Sequence, residues 1–521
     1  MRIRVGVLLG VVGLGGLGTV AGQPRAPRLD FSARPGPTAR YLKVSNPGED
    51  DRLGVGNPLV GVTLALSADG RTLAVSTPHE DSGATGINGT QRDESGWDSG
   101  AAYIFVRTGN GWSQQAYIKA ANAEMSDRFG YALALSGDGN TLAVSALLED
   151  SRARGVNGDQ ADNQAETSGA VYVFVRSGPA WSQQAYVKAS NADAGDQFGW
   201  SLALSHDGRT LAVGAQAEAS VATGINGNQG DNSAANAGAA YVFARTGTTW
   251  SQQAYVKAFN AQAGDQFGFS VTLSGNGDTM VVGAYDEDGG GKGVNPVPDE
   301  AAANSGAAYV FVRRGTTWTQ ESYIKASNTV RNIAFGAAMA LSADGSTLAV
   351  TAVDETNLTG GINGDERSVP NNEISAGAVY VFGRAGASWQ QQAYVKSSNI
   401  GPTDLFGIRL GITGDGSMVV VGAPGHAGPG RGVNPPNPLE RSAPESGAAY
   451  VFLRTGGRWS QHAYLKAPNA DPYDQFGSGV AVDATGSVLV VAADGEDGGS
   501  MGIGGNQDDN AVRDAGALFV Y

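Results

Sequence analysis

The chain runs to 521 residues without a single cysteine, which excludes disulfides, thiolate metal sites and a cysteine nucleophile. Its 78 glycines, 41% hydrophobic and 16% charged residues suit many short strands joined by turns and argue against disorder. A formal net charge of −15 at pH 7 repels phosphate backbones and anionic lipid surfaces, so nucleic acid and membranes are poor partners.

Residues 1–22 open with Arg2 and Arg4, continue as an uncharged run from Val5 to Val20, and end on the small residues Ala21 and Gly22. That is the three-part layout of a secretory signal peptide. The run is also close to the shortest membrane-spanning length, but its glycines make it a weak helix. Export is expected, to a secreted, periplasmic or cell-surface location, with no membrane insertion of the mature chain. Residues 23–40, carrying Pro24, Pro27, Pro35 and Pro37, read as an extended N-terminal tail.

From residue 41 to the end the chain repeats. Trp112, Trp181, Trp250, Trp318, Trp389 and Trp459 follow one another at spacings of 69, 69, 68, 71 and 70. Five residues after each stands the tyrosine of a Tyr-x-Lys-x-x-Asn motif, and a seventh copy begins at Tyr41. Its lysines, Lys43, Lys119, Lys188, Lys257, Lys325, Lys396 and Lys466, leave only Lys292 elsewhere. Each unit holds four short stretches of alternating or apolar character, as at 197–205, 210–215, 238–245 and 250–258, with the β-branched and aromatic bias of strands. Four strands per unit in seven units predict an all-β fold, a seven-bladed β-propeller over 41–521 with four-stranded blades. A β-solenoid or a string of small β-domains is the competing reading.

The phase of the ends bears on closure. The repeat starts on its fourth strand, 41–46, and stops at Tyr521 after its third, 516–521. An N-terminal strand that closes the last blade leaves no open face in the ring.

The units pair Phe with Gly at Phe129-Gly130, Phe198-Gly199, Phe267-Gly268, Phe335-Gly336, Phe406-Gly407 and Phe476-Gly477, with Leu53-Gly54 in the first. A Gly-Ala element follows at Gly214-Ala215, Gly283-Ala284 and Gly422-Ala423-Pro424, and then a Tyr-Val-Phe strand. This pattern resembles the FG-GAP repeat of integrin α-chains and of exported bacterial propellers, and covers essentially all of 41–521. The resemblance implies a binding or adhesion role. In that family Asp-x-Asp-x-Asp-Gly calcium loops stand between the first and second strands. Here that hairpin is only a few residues long, so no calcium site carries over.

Strand parity divides the connections between two faces. Links from strand one to two and three to four are tight turns, with Asp-Gly at places such as Ala68-Asp69-Gly70, Gly137-Asp138-Gly139 and His206-Asp207-Gly208. Links from two to three, of roughly 20 residues, share the other face with the blade-to-blade links and are where function is expected. The long loops repeat a Gly-Ile/Val-Asn turn, at Gly86, Gly155, Gly224, Gly293, Gly361 and Gly432, often preceded by acids. Glu149, Asp150, Asn157 and Asp159 in one loop, and Asp286 and Asp288 in another, offer the hard oxygen ligands that Ca²⁺ takes. The same residues read alternatively as a repeated turn, with its isoleucine plugged between blades and its acids solvated.

The four histidines, His79, His206, His426 and His462, show no shared general base or metal triad. One Trp and one Lys per repeat suggest a rim of sugar sites. The competing reading has the Trp packed under the outer strand and the Lys guarding its exposed edge. The expected function is a non-enzymatic extracellular binding or adhesion module, a monomer, recognising a protein or glycan on the long-loop face. A cationic partner or a bridging Ca²⁺ suits the acidity of that face. The alternative is an extracellular carbohydrate-active hydrolase or lyase with its site at the central channel mouth.

Overall fold

A computed structural model describes residues 28–32, 38–54, 63–109, 111–367 and 374–521. The signal-peptide reading of 1–22 and the start of the tail lie outside the described residues. Every regular element among the described residues is a strand.

The strands form seven four-stranded antiparallel sheets, each in simple sequential order. Blade 3 is representative, with Ser201–Leu204, Thr210–Ala215, Ala239–Thr246 and Thr249–Val256 running from the central channel to the rim. Its second strand, TLAVGA, is buried at every position. Both faces of a blade are covered by neighbouring blades, so the inner strands are apolar throughout rather than alternating. The outermost strand is exposed and buried by turns near its start, then fully buried at its end.

The seventh blade combines Phe476–Val482, Leu489–Ala493 and Ala517–Val520 with Arg40–Leu42 from the other end of the chain. Arg40, Tyr41 and Leu42 pair with Val520, Phe519 and Leu518, as the phase of the ends requires.

The core lies between blades, not within them. One apolar cluster joins Val242 and Val256 of blade 3 to Phe267 and Phe311 of blade 4, and the same arrangement recurs around the ring. The Phe-Gly motif sets the spacing. Phe129 packs edge-on against Tyr172 and Phe174 of its own blade, at 5.5 and 6.1 Å, while its backbone abuts Gly100 of the blade before. A Cβ on Gly100, whose φ is +78°, would stand 2.0 Å from the Phe129 carbonyl oxygen; any side chain there would wedge two blades apart. At the rim, Trp181 donates its Nε1 proton to Gln115 of the preceding blade at 3.1 Å, beneath the Arg176 guanidinium. Blades 3 and 4 repeat this clamp.

On the turn face the hairpins form a closed belt. Ala68 donates its amide to Gly137, Asp138 to His206, His206 to Gly275, Gly275 to Ala343, Asp344 to Gly414, Gly414 to Ala484, and Ala484 back to Ala68. Seven turns are thus bonded neighbour to neighbour in a closed circle on that face. Residues 28–32 dock on this side: Leu29 donates its amide to Gly486, and Phe31 is buried against Tyr521 and His462.

Candidate functional site

The lysines at the end of strand four are wholly buried, so neither an edge guard nor a rim of lysine-bearing sugar sites describes them. The Gly-Ile-Asn turn of the long loop folds back over the strand end. Ile87 forms a β-bridge with Ile118, and Asn88, at φ +56°, accepts the Tyr117 amide at 3.0 Å. Beneath it, Lys119 Nζ meets Glu80 at 2.8 Å and donates to Ser99 at 2.6 Å. Glu80 also accepts from Tyr117 Oη at 2.8 Å and from Asn46 of the preceding blade at 2.9 Å; Asn46 in turn accepts from Tyr103 Oη. The pair recurs as Lys43–Glu496, Lys188–Glu149, Lys257–Glu218, Lys325–Glu287 and Lys396–Glu355. A buried ion pair holds only when its remaining lone pairs and protons are also bonded, and the Tyr, Ser and Asn supply those bonds.

Blade 6 breaks the pattern. His426 occupies the glutamate position, bonded to Tyr464 Oη at 2.9 Å and to Asp404 at 3.2 Å. Asp404 also takes Arg441. Burial works against its charge, but the bonds from His426 and Arg441 outweigh it and hold the carboxyl below its ordinary range. Lys466 is left with Ser446 Oγ and the Gly447 carbonyl. Burial, with Arg441 adding to it, pushes this ammonium down to about 7.

These buried groups were missed in the sequence. The signal was the shared period of Glu80, Glu149, Glu218, Glu287, Glu355 and Glu496, which matches that of the lysines.

The proposed calcium ligands do not converge. Glu149 is committed to Lys188, Tyr186 and the Ser151 amide. Asp150 accepts the Thr167 amide, Asn157 the Tyr186 amide, Asp159 the Ala161 amide and Asp288 the Asn304 amide. Asp286, bonded to Gln266, lines a cavity of about 330 Å³ with Tyr285, Asn304, Asn332 and Asp354. Burial chiefly, then Asp288 and Asp354, pushes its carboxyl up to about 6. Among the described residues no three His, Cys, Asp or Glu side chains are grouped to hold a metal ion.

The channel mouth is asymmetric. The residue after each Phe-Gly is aromatic in blades 2 to 4, and Tyr131, Trp200 and Phe269 form an arc that continues to Tyr285, stacked on Phe269 at 4.3 Å. Across from it lie buried Arg409 and Asp494; burial pushes Asp494 up to about 6. Among the described residues ten large apolar side chains are exposed, including Trp97, Val297, Leu439, Tyr473 and Met501. All ten lie in the long loops or the blade-to-blade links, on one face of the ring.

Residues 112–174, 181–243 and 250–311 each match the FG-GAP repeat. Three of the seven units of the propeller thus match the FG-GAP repeat. A comparison with curated proteins finds no match. Among solved structures the chain is similar in fold to hydrazine synthase from Kuenenia stuttgartiensis (11% identity, 86% of this chain and 94% of that one, TM-score 0.44). It is likewise similar to the periplasmic gluconolactonase PpgL from Pseudomonas aeruginosa (14%, 82% and 96%, TM-score 0.43). A candidate 6-phosphogluconolactonase from Bacteroides uniformis aligns comparably (12%, 82% and 96%, TM-score 0.42).

Proposed function

We propose that this propeller is an exported, non-enzymatic binding module that takes a protein or glycan on its long-loop face. The observation that carries the reading is that, among the described residues, all ten exposed large apolar side chains lie on that face, since exposed apolar surface marks interaction sites. The turn face has its backbone tied into a belt. The net charge of −15 favours a cationic partner, whose binding weakens as salt rises. Replacing a whole long loop would remove buried groups such as Glu149 and Ser168, so point changes are the cleaner test. Partners captured by the purified chain on protein and glycan arrays should be lost by Trp97→Ser/Leu439→Ser/Met501→Ser and kept by changes on the turn face. Equal capture by all variants would refute the placement.

A hydrolase or lyase is the second reading, favoured by the carboxylates of Asp286 and Asp354 facing one cavity, with Tyr285 Oη donating to Asp354 at 3.2 Å. It requires turnover of a carbohydrate substrate that Asp286→Asn abolishes.

A further inference from the structure

At four junctions a serine two residues after the buried lysine belongs to a polar clasp between blades. Ser45 bonds Gln91 and receives Gln114 Nε2; Ser327 bonds Glu366 and receives Gln391 Nε2. Ser398 receives Gln461 Nε2, and Ser190 bonds Gln229. At two other junctions the place is taken by Ala121 and Pro468. At the junction of blades 3 and 4 it is Phe259, and the loop position that carries Gln229 in blade 3 is Pro298.

The clasp is therefore replaced by an opening. Phe259 is 43% exposed and stands edge-on to Tyr323 and Tyr309, at 5.7 and 6.2 Å. It borders a cavity of about 300 Å³, shared with Pro296, Asn295, Gln320 and Ser322, at the lower end of the size range of small-molecule sites. Ser322 replaces the alanine found at the same place in blades 1, 2, 3, 5 and 6. It is 2% exposed, and its Oγ has no hydrogen-bond partner; nor has Gln320 Oε1. Leaving such groups unpaired is destabilising, so a hydroxyl introduced here without a partner calls for an explanation. Asn295 spends its Oδ1 on the Tyr323 amide, and Glu321 is engaged by Arg384 and Trp389 of blade 5. What faces the cavity is an aromatic and proline wall on one side and uncharged polar groups on the other.

We infer that this pocket is a subsite for a neutral pyranose ring, its C–H face on Phe259 and its hydroxyls on Ser322, Gln320 and Asn295. The inference rests on the loop-face reading and narrows it to a glycan at the outer edge of that face. It is tested on the purified chain by saturation-transfer NMR with neutral methyl hexopyranosides and N-acetylhexosamines, alongside a proline-rich peptide. Phe259→Ser and Ser322→Ala install residues that other repeats carry at these positions, so the double variant should melt like the parent. A dissociation constant of about 1–10 mM is expected for one sugar ring, weakened at least tenfold in the double variant. No sugar signal, equal signal in the double variant, or signal from the peptide alone would overturn the assignment. The loop-face reading itself falls only if the array variants fail to change capture.

Discussion

Glu149→Gln tests whether the repeated glutamates serve the buried lysines. Glu149 accepts from Lys188 at 2.8 Å and Tyr186 at 2.7 Å. The amide keeps the tyrosine bond but leaves Lys188 with only the Ser168 hydroxyl, at 2.7 Å. Lys466 shows what burial does to a lysine so placed without a carboxylate, holding it down at about 7. Relative to an unfolded lysine near 10.4, that setting costs about 4 kcal/mol at pH 7, within the roughly 3–5 kcal/mol expected for breaking a buried pair. A ring of about 480 residues unfolding as one unit has an entropy near 1 kcal/mol/K, so Tm should fall by about 4 °C. The sign of the pH effect follows from a folded-state value below the unfolded one. The penalty is full below about 7 and fades as pH rises towards about 10, where the unfolded lysine also loses its proton. Scanning calorimetry of the parent, Glu149→Gln, Lys188→Met and the double variant at pH 7 and 9.5 reads all of this. The double variant should recover at least half the loss, and chelator should leave the parent unchanged. A single-variant loss below about 1 °C, or a loss that chelator reproduces in the parent, would refute the reasoning.

Phe519 stands where blades 1 to 6 have a tyrosine, and Asn469 Oδ1, the acceptor of that absent hydroxyl, is buried without a partner. Phe519→Tyr should therefore stabilise the ring by about 1 kcal/mol, read as a higher denaturant midpoint. Burial, outweighing bonds from backbone amides, pushes Asp51 up to about 8 and Asp127, Asp196, Asp265 and Asp474 up to about 7. Because these values exceed the unfolded ones, the folded ring binds more protons. Its Tm should rise as pH falls from about 8 to 5, and Asp196→Asn should be stabilising at pH 8 but neutral at pH 4. Deleting residues 40–46 removes the strand paired with Ala517–Val520. Amides of the last blade should then exchange with solvent far faster than in the intact ring; unchanged protection would show that the closure contributes little.

Strands, blade number and closure were legible because each rests on a local pattern repeated in phase: the tryptophan period, the Phe-Gly pair, and ends that fall on strands four and three. The fate of the lysines was not. A lysine on an outermost strand looks like an edge residue, and only the loop turn seated over it, through contacts such as the Ile87–Ile118 bridge, takes it out of water. Its partner lies 39 residues upstream in the Lys119–Glu80 pair and 41 in Lys396–Glu355, too far for any helix or hairpin rule. The same distance hid the partner of Glu149, which viewed within its own loop is simply an acid beside acids, although Lys188 and Tyr186 both bond to it. The Phe259 pocket depends on what the neighbouring repeat lacks, which one repeat read alone does not reveal.

The pairing of Tyr41 with Phe519 also sets an order of assembly. During synthesis from the N-terminus the blade-forming segments emerge one after another, yet the first strand made has no partner until the last has been delivered. Until then the growing protein is an open arc, with a lone strand at one end and an unfinished sheet at the other, both able to recruit strands from neighbouring molecules. The turn-face belt shares this timing, because its final bond, from Ala484 to Ala68, cannot form before the arc bends shut. Crowding of nascent copies is thus the moment of greatest hazard for this fold, and once the circle is complete the two closing strands, Arg40–Leu42 and Ala517–Val520, hold each other within one sheet.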